Sequence, residues 1–212
     1  MLLLLVRHGQ SLGNIEERIQ GAEDPLTDLG REQARAVARA LAARGDITHL
    51  YASPLDRAME TAGLIGEAIG QPPVPLAGLA EINAGHAAGL LWREWREANP
   101  ERAAIMANPQ RGVLDGWEGG EDGLQFGARV VAAYQHLITQ HLGTDDVVVA
   151  VGHGGSLSWI AAVVHGDPLD IWPGTRAGFA NCSISEIVVN VQGVGEPGSW
   201  NQVSHLAGLE PD

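Results

Sequence analysis

Two stretches far apart in the chain each set a histidine among residues that let chemistry reach it. Arg7-His8-Gly9 ends the apolar run Leu2 to Val6, and Gly152-His153-Gly154-Gly155 ends Val147 to Val151. A neutral imidazole is a nitrogen nucleophile, a guanidinium offers a fixed fork of donors to an oxyanion, and glycine lets backbone come close to whatever sits there. A third stretch, Ser53-Pro54-Leu55-Asp56-Arg57, reads as a helix start with Ser53 as N-cap and Pro54 at the first helical position. Arg57 then falls in the first turn, where the helix dipole disfavours a cation. That cost is understandable if an anion binds there. Glu81 is the one carboxylate of a glycine-punctuated loop, Leu79 to Gly89.

The elements that must position these groups follow from periodicity. The two apolar runs read as buried strands, each followed by a loop and a helix. Ala34, Val37, Ala38 and Leu41 recur at helical spacing behind a cap at Thr27 or Asp28, and Gly45 stops that helix. Ala58, Thr61, Ala62, Ile65 and Ile69 give the next helix its buried face. Another helix starts near Gly120-Glu121-Asp122 and runs to about Leu142. His49 to Ala52 reads as a short strand, Pro72 to Leu76 as an edge strand, and Ile184 to Val191 and Trp200 to His205 as two further strands. Residues 91–117, with Trp92, Trp95 and Trp117 among arginines, read as one helix plus a loop. The expectation is an α/β protein: a three-layer α/β/α sandwich with a mostly parallel sheet, one domain over 1–212, and a lid-like insertion at about 90–120. In such sheets ligands bind at the carboxyl ends of the strands, where both histidines lie.

Composition narrows the chemistry. The net charge is −13, and all 13 basic residues are arginine. The acidic balance argues against nucleic acid. The lack of lysine removes Schiff-base catalysis and the Walker-type phosphate lysine. The single cysteine, Cys182, rules out an intrachain disulfide and cysteine-rich zinc sites. The apolar runs are too short to span a bilayer, and the first lacks the features of a secretory signal, so a cytoplasmic protein with no membrane partner is the expectation.

Read together, the fragments Arg7-His8-Gly9 with Ser11 and Asn14, Gln20-Gly21, Pro25-Leu26-Thr27 with Gly30, Ser53-Pro54-Leu55 with Arg57 and Thr61, Leu79 with Glu81, Gly85 and Gly89, Gly120-Glu121, Arg129 and His153-Gly154 resemble the histidine phosphatase superfamily, the phosphoglycerate-mutase-like group. The fragments occur in the family's order over nearly the whole chain. The resemblance implies that His8 is the nucleophile toward phosphorus, with its other ring nitrogen held by a backbone carbonyl. It implies that Arg7, Arg57 and His153 surround the phosphoryl group, and that Glu81 protonates the leaving oxygen and later takes a proton from water. Ser11, Asn14, Gln20, Gly21 and Gly154 would contact the substrate, a small phosphorylated metabolite. No metal and no cofactor are implied, and the eight histidines show no metal-ligand spacing, so His49, His86, His136, His141, His165 and His205 read as structural or solvated.

Some positions depart from the family pattern. Ala84, His86, Ala87 and Ala88 stand where many relatives carry an aromatic and a tryptophan-acid pair. Asp122 and Gly152 each replace a common hydroxyl residue, and Gln10 replaces a frequent glutamate. None removes a catalytic residue. Three functions compete: a phosphomonoesterase; a phosphoglycerate mutase, for which Arg93, Arg96 or Arg111 would replace the usual lysine; and a non-catalytic binder of phosphorylated ligands. The absence of lysine favours the first over the second, and the intact nucleophile and acid speak against the third. The reading leaves room for a homodimer. Trp92, Trp95, Trp117, Trp172 and Phe179 either wall the leaving-group side or pack the insertion.

Overall fold

The computed structural model describes residues 1–175 and 178–209, so the last three residues of the expected domain lie outside it. Six strands form one sheet: β1 Leu2–Arg7, β2 His49–Ala52, β3 Val74–Pro75, β4 Val147–Gly152, β5 Ile184–Val189 and β6 Gly195–Pro197. Their order is β3-β2-β4-β1-β5-β6. The first four run parallel, while β5 and β6 are antiparallel additions at one edge. The fold is α/β, as the periodicity requires.

Side chains alternate across β1 and β4. Leu4, Val6, Val149 and Val151 face one apolar core with helices α2 (Asp28–Ala42) and α3 (Asp56–Ile69), after the single turn α1 (Leu12–Ile15). Leu3, Leu5, Val148 and Ala150 face the other core, built with α6 (Gly123–His141) and α7 (Gly154–His165). Burial on both faces explains why these strands read as unbroken apolar runs. Thr27 caps α2 by accepting from Gly30 N, and Asp122 caps α6 by accepting from Gln125 N. A third, smaller cluster holds Ile19, Ala84, Ala87, Trp95 and Trp117. It joins the segment containing α4 (Trp92–Ala98) and α5 (Pro100–Met106) to the loops at the carboxyl end of the sheet.

Register decides the site. Arg7 pairs opposite Gly152, so His8 and His153 leave adjacent parallel strands side by side, with His8 N donating to Gly152 O at 3.0 Å. Three expectations are corrected. The segment 91–117 holds two short helices, because Pro100 restricts Asn99 and breaks the run. Residues 200–205 contribute only an isolated bridge from Gln202 to Ile184 and a short 3-10 turn, the antiparallel edge being taken by β6. Ser53 is not the N-cap: α3 starts at Asp56 behind Leu55, whose N–H donates to the Ser53 hydroxyl at 3.2 Å. Among the described residues no helix is long and apolar enough to cross a membrane.

Candidate active site

His8 is 1 % exposed, and its Nδ1 lies 2.7 Å from Gly9 O. A carbonyl only accepts, so Nδ1 carries the proton and Nε2 keeps the lone pair whenever the ring is neutral. The ring centroid of His153 is 5.0 Å away. His153 Nε2 lies 2.7 Å from the Ser53 hydroxyl, which already accepts from Leu55 N. Its Nδ1 is buried with no hydrogen-bond partner among the described residues. The two imidazoles are therefore held differently: one as a free lone pair, the other tied at one nitrogen.

Arg57 is fully buried. Its Nη1 donates to Gly21 O at 2.8 Å, while Nε and Nη2 have no acceptor among the described residues. Burial lowers its pKa; Glu81 and then Asp24, the strongest opposing influences, support its charge. A buried donor without a partner costs about 1–3 kcal/mol, and more when charged, so two on one guanidinium fit an anion. Arg7 Nη1 donates to Phe179 O at 2.6 Å. The loop carrying Phe179 also clamps the strand end: Asn181 Nδ2 donates to His8 O at 2.9 Å and Cys182 N to Arg7 O at 3.0 Å.

Glu81 is half-buried and held by two backbone amides, Ile82 N to Oε1 at 3.0 Å and Gly155 N to Oε2 at 2.9 Å. The second amide belongs to the first turn of α7, whose dipole favours a carboxylate. Behind Glu81, Arg129 donates to the carbonyls of Gly78 and Ala80 at 3.1 and 3.0 Å, and pairs with Glu121 at 2.8 Å. This fixes the backbone that carries Glu81. A Cβ on Gly155 would overlap Glu81 Oε1, although its backbone lies outside the left-handed region. Gly155→Ala is therefore expected to displace the carboxylate, lowering kcat for esters with poor leaving groups by about 100-fold, with Tm unchanged or raised because alanine suits a helix better than glycine. Steady-state kinetics and thermal melting check both halves.

The remaining residues expected around the ligand separate into two groups. Gln20 and Gly21 line a cleft of about 570 Å3 with Arg57, Glu81 and Arg129. Asn14 and Gln20 line a second of about 510 Å3 with Glu81, Gly155, Arg96 and Trp117. Asn14 Oδ1 accepts from Ser11 N at 3.0 Å. Gly154 begins α7. Ser11, in contrast, is fully buried: it donates to Asp24 at 2.7 Å and accepts from Gln20 at 2.7 Å, so it positions neighbours instead of touching a ligand. Asp24, Asn181 and Gly155 support the site and were not picked out from the sequence; Ser53 was read only as a helix cap. Trp92, Trp117 and Trp172 line the second cleft, while Trp95 packs beneath them and Phe179 belongs to the main core.

Burial holds both imidazoles well below 6.5; Arg7 then Arg57 add to the effect at His8, and Arg57 then His8 at His153. Both rings are thus neutral at pH 7. The unfolded chain takes up protons below pH 6.5 while the folded rings resist them, so stability falls as pH drops through that value toward the depressed folded pKa. Each ring contributes a slope of about 1.4 kcal/mol per pH unit in that window. Melting from pH 7.5 to 5 is expected to show the loss, with inorganic phosphate reducing it by stabilising the charged form of His153. A Tm flat across that range would contradict neutral buried rings.

A family model described as the histidine phosphatase superfamily (branch 1) matches residues 3–201. A glucosyl-3-phosphoglycerate phosphatase from Mycolicibacterium vanbaalenii is 33% identical over 95% of this chain and 90% of its own. A metal-independent phosphoserine phosphatase from Arabidopsis thaliana is 32% identical over 98% of this chain and 84% of its own. Among solved structures, Bacillus stearothermophilus YhfR superposes with a TM-score of 0.85 at 28% identity, covering 97% of this chain and 98% of that one.

Proposed function

The chain belongs to the histidine phosphatase superfamily and is an enzyme of phosphatase type; from that premise we propose a metal-independent phosphomonoesterase that hydrolyses a small phosphorylated metabolite through a phosphohistidine on His8. The observation that carries this reading is the pair of donors on buried Arg57, without acceptors among the described residues, together with an imidazole on which Arg57 acts electrostatically and whose Nε2 lone pair is fixed by Gly9 O. Arg7, Arg57 and the charged form of His153 supply the positive charge that a metal would otherwise bring to the equatorial oxygens.

In the first step His8 Nε2 attacks phosphorus, the P–O ester bond breaks, and Glu81 gives its proton to the departing oxygen. In the second, water attacks the phosphohistidine, Glu81 takes the water's proton, and the P–N bond breaks to release inorganic phosphate. Atoms balance with water as the only co-reactant. Gln20, Gly21, Asn14 and Gly154 complete the donor set, and the 90–120 insertion covers the leaving-group side.

The alcohol half of the ester is assigned to the cleft walled by Trp92, Trp117 and Trp172. There Arg96 stacks over Trp92 at 5.2 Å and presents its charge. An ester whose alcohol carries a carboxylate would use it, and the two named phosphatase relatives act on esters of that kind. Rapid mixing with radiolabelled ester, quenched without acid, tests the covalent step: label is expected on His8, and a turnover-competent enzyme that never carries label would eliminate it. In the same assay, 3-phosphoglycerate turned over to its isomer only after priming by the bisphosphate would move the reading to a mutase.

A further inference from the structure

Three elements bring metal-ligating side chains together at the end of the sheet opposite His8 and His153. His49 opens β2, His141 closes α6, and Asp146 stands just before β4. Their ligand atoms all lie within 4.8 Å of one another. His141 Nδ1 is 2.8 Å from Asp146 Oδ2, His49 Nδ1 is 3.9 Å from the same oxygen, and the two imidazole centroids are 4.3 Å apart. Asp146 and His153 bracket β4, so about 20 Å of strand separates this cluster from the reacting end.

We infer that His49, His141 and Asp146 form a binding site for one zinc-class divalent transition-metal ion, which ties α6 to the amino ends of β2 and β4 and takes no part in hydrolysis. Two imidazoles and one carboxylate suit a borderline ion that accepts three protein ligands and a water in tetrahedral array. They suit Ca2+ and Mg2+ poorly, since those ions want oxygen throughout. His49 Nδ1 also meets Thr48 Oγ1 at 3.0 Å, and its ring packs against that of His141, so all three ligand atoms face one point.

The surroundings fit a ligand role. His141 has a 5% exposed side chain and anchors the group, while His49 at 44% and Asp146 at 22% leave a path for the ion and room for water. Tyr51 Oη lies 3.1 Å from His141 Nε2. With the ion on Nδ1, the ring proton sits on Nε2 and that N–H donates to Tyr51 Oη, so the ligand keeps its orientation.

The test uses the full chain without a polyhistidine tag, stripped with chelator and titrated with ZnCl2 by calorimetry and thermal melting. One ion per chain is expected to bind and to raise Tm by several degrees. His49→Ala and Asp146→Asn are expected to weaken zinc by about two orders of magnitude or more. Both variants should keep metal-free kcat, and metal-free melts show that they fold. Co2+ in place of zinc should give the visible ligand-field bands of a four-coordinate ion, lost in His49→Ala. Zinc binding that survives both substitutions would place the ion elsewhere, on His8 and His153 for instance, and overturn the proposal; so would the absence of saturable one-to-one binding. Loss of zinc binding with hydrolysis intact separates this site from the phosphatase reading, which stands or falls on His8.

Discussion

His8→Ala is expected to lower kcat by about 10^4-fold or more and to abolish the phosphoenzyme, whereas His153→Ala is expected to cost about 10^2- to 10^3-fold and still to accumulate phosphohistidine slowly. The difference follows from how each ring is held. Gly9 O fixes the proton of His8 on Nδ1 at 2.7 Å, so Nε2 is the lone-pair atom. His153 has one nitrogen engaged by Ser53 at 2.7 Å and the other buried without a partner among the described residues, which suits contact with phosphoryl oxygens and not attack. Burial and the two arginines keep His8 neutral, so its activity persists well below the ordinary titration of histidine; as pH falls, kcat/KM declines only when the depressed pKa is reached. Among the described residues the side chain of His8 bonds only to its neighbour's carbonyl, so removing it is expected to spare the fold, which far-UV circular dichroism checks. Equal losses in the two variants, with label retained in His8→Ala, would reverse the assignment.

The meeting of the two histidine rings was legible because their placement is local: a strand end puts Arg7, His8 and Gly9 in consecutive positions, and β4 repeats the design with His153. The parallel sheet was legible from strands buried on both faces. What was not legible lies in contacts between distant residues. Asn181 and His8 are 173 positions apart, and Ser53 and His153 are 100 apart. No short pattern reports either pairing. Ser53 was misleading for a physical reason. Ser-Pro before a helix reads as a cap, yet a hydroxyl that can satisfy a buried imidazole gains more there than at a helix end open to solvent. The edge strand beyond β5 was misplaced because Gly195–Pro197 has no strand-like composition; only its antiparallel register with β5 makes it one. Gly155 reads as one more glycine in a glycine-rich loop until Glu81 is seen to occupy the space its Cβ would need.

Glu81→Ala should split substrates by leaving group. With an alkyl phosphate the departing oxygen is strongly basic and must be protonated as the bond breaks, so kcat/KM is expected to fall by about 10^2- to 10^4-fold. With p-nitrophenyl phosphate the leaving oxygen needs no proton, and formation of the phosphohistidine should be nearly unaffected. The second step still requires a base for water, so in this variant the labelled intermediate should build up and decay slowly, giving a burst of p-nitrophenol followed by a depressed steady rate. Gly155→Ala displaces the same carboxylate without removing it and should show the same leaving-group dependence in weaker form. The contrast tests position against identity, since the two variants differ only in whether an acid is present near the oxygen. If Glu81→Ala lowered both substrates equally with no burst, the carboxylate would be holding α7 through Gly155 N and not moving protons, and the acid of the reaction would have to be sought among the other residues of the two clefts.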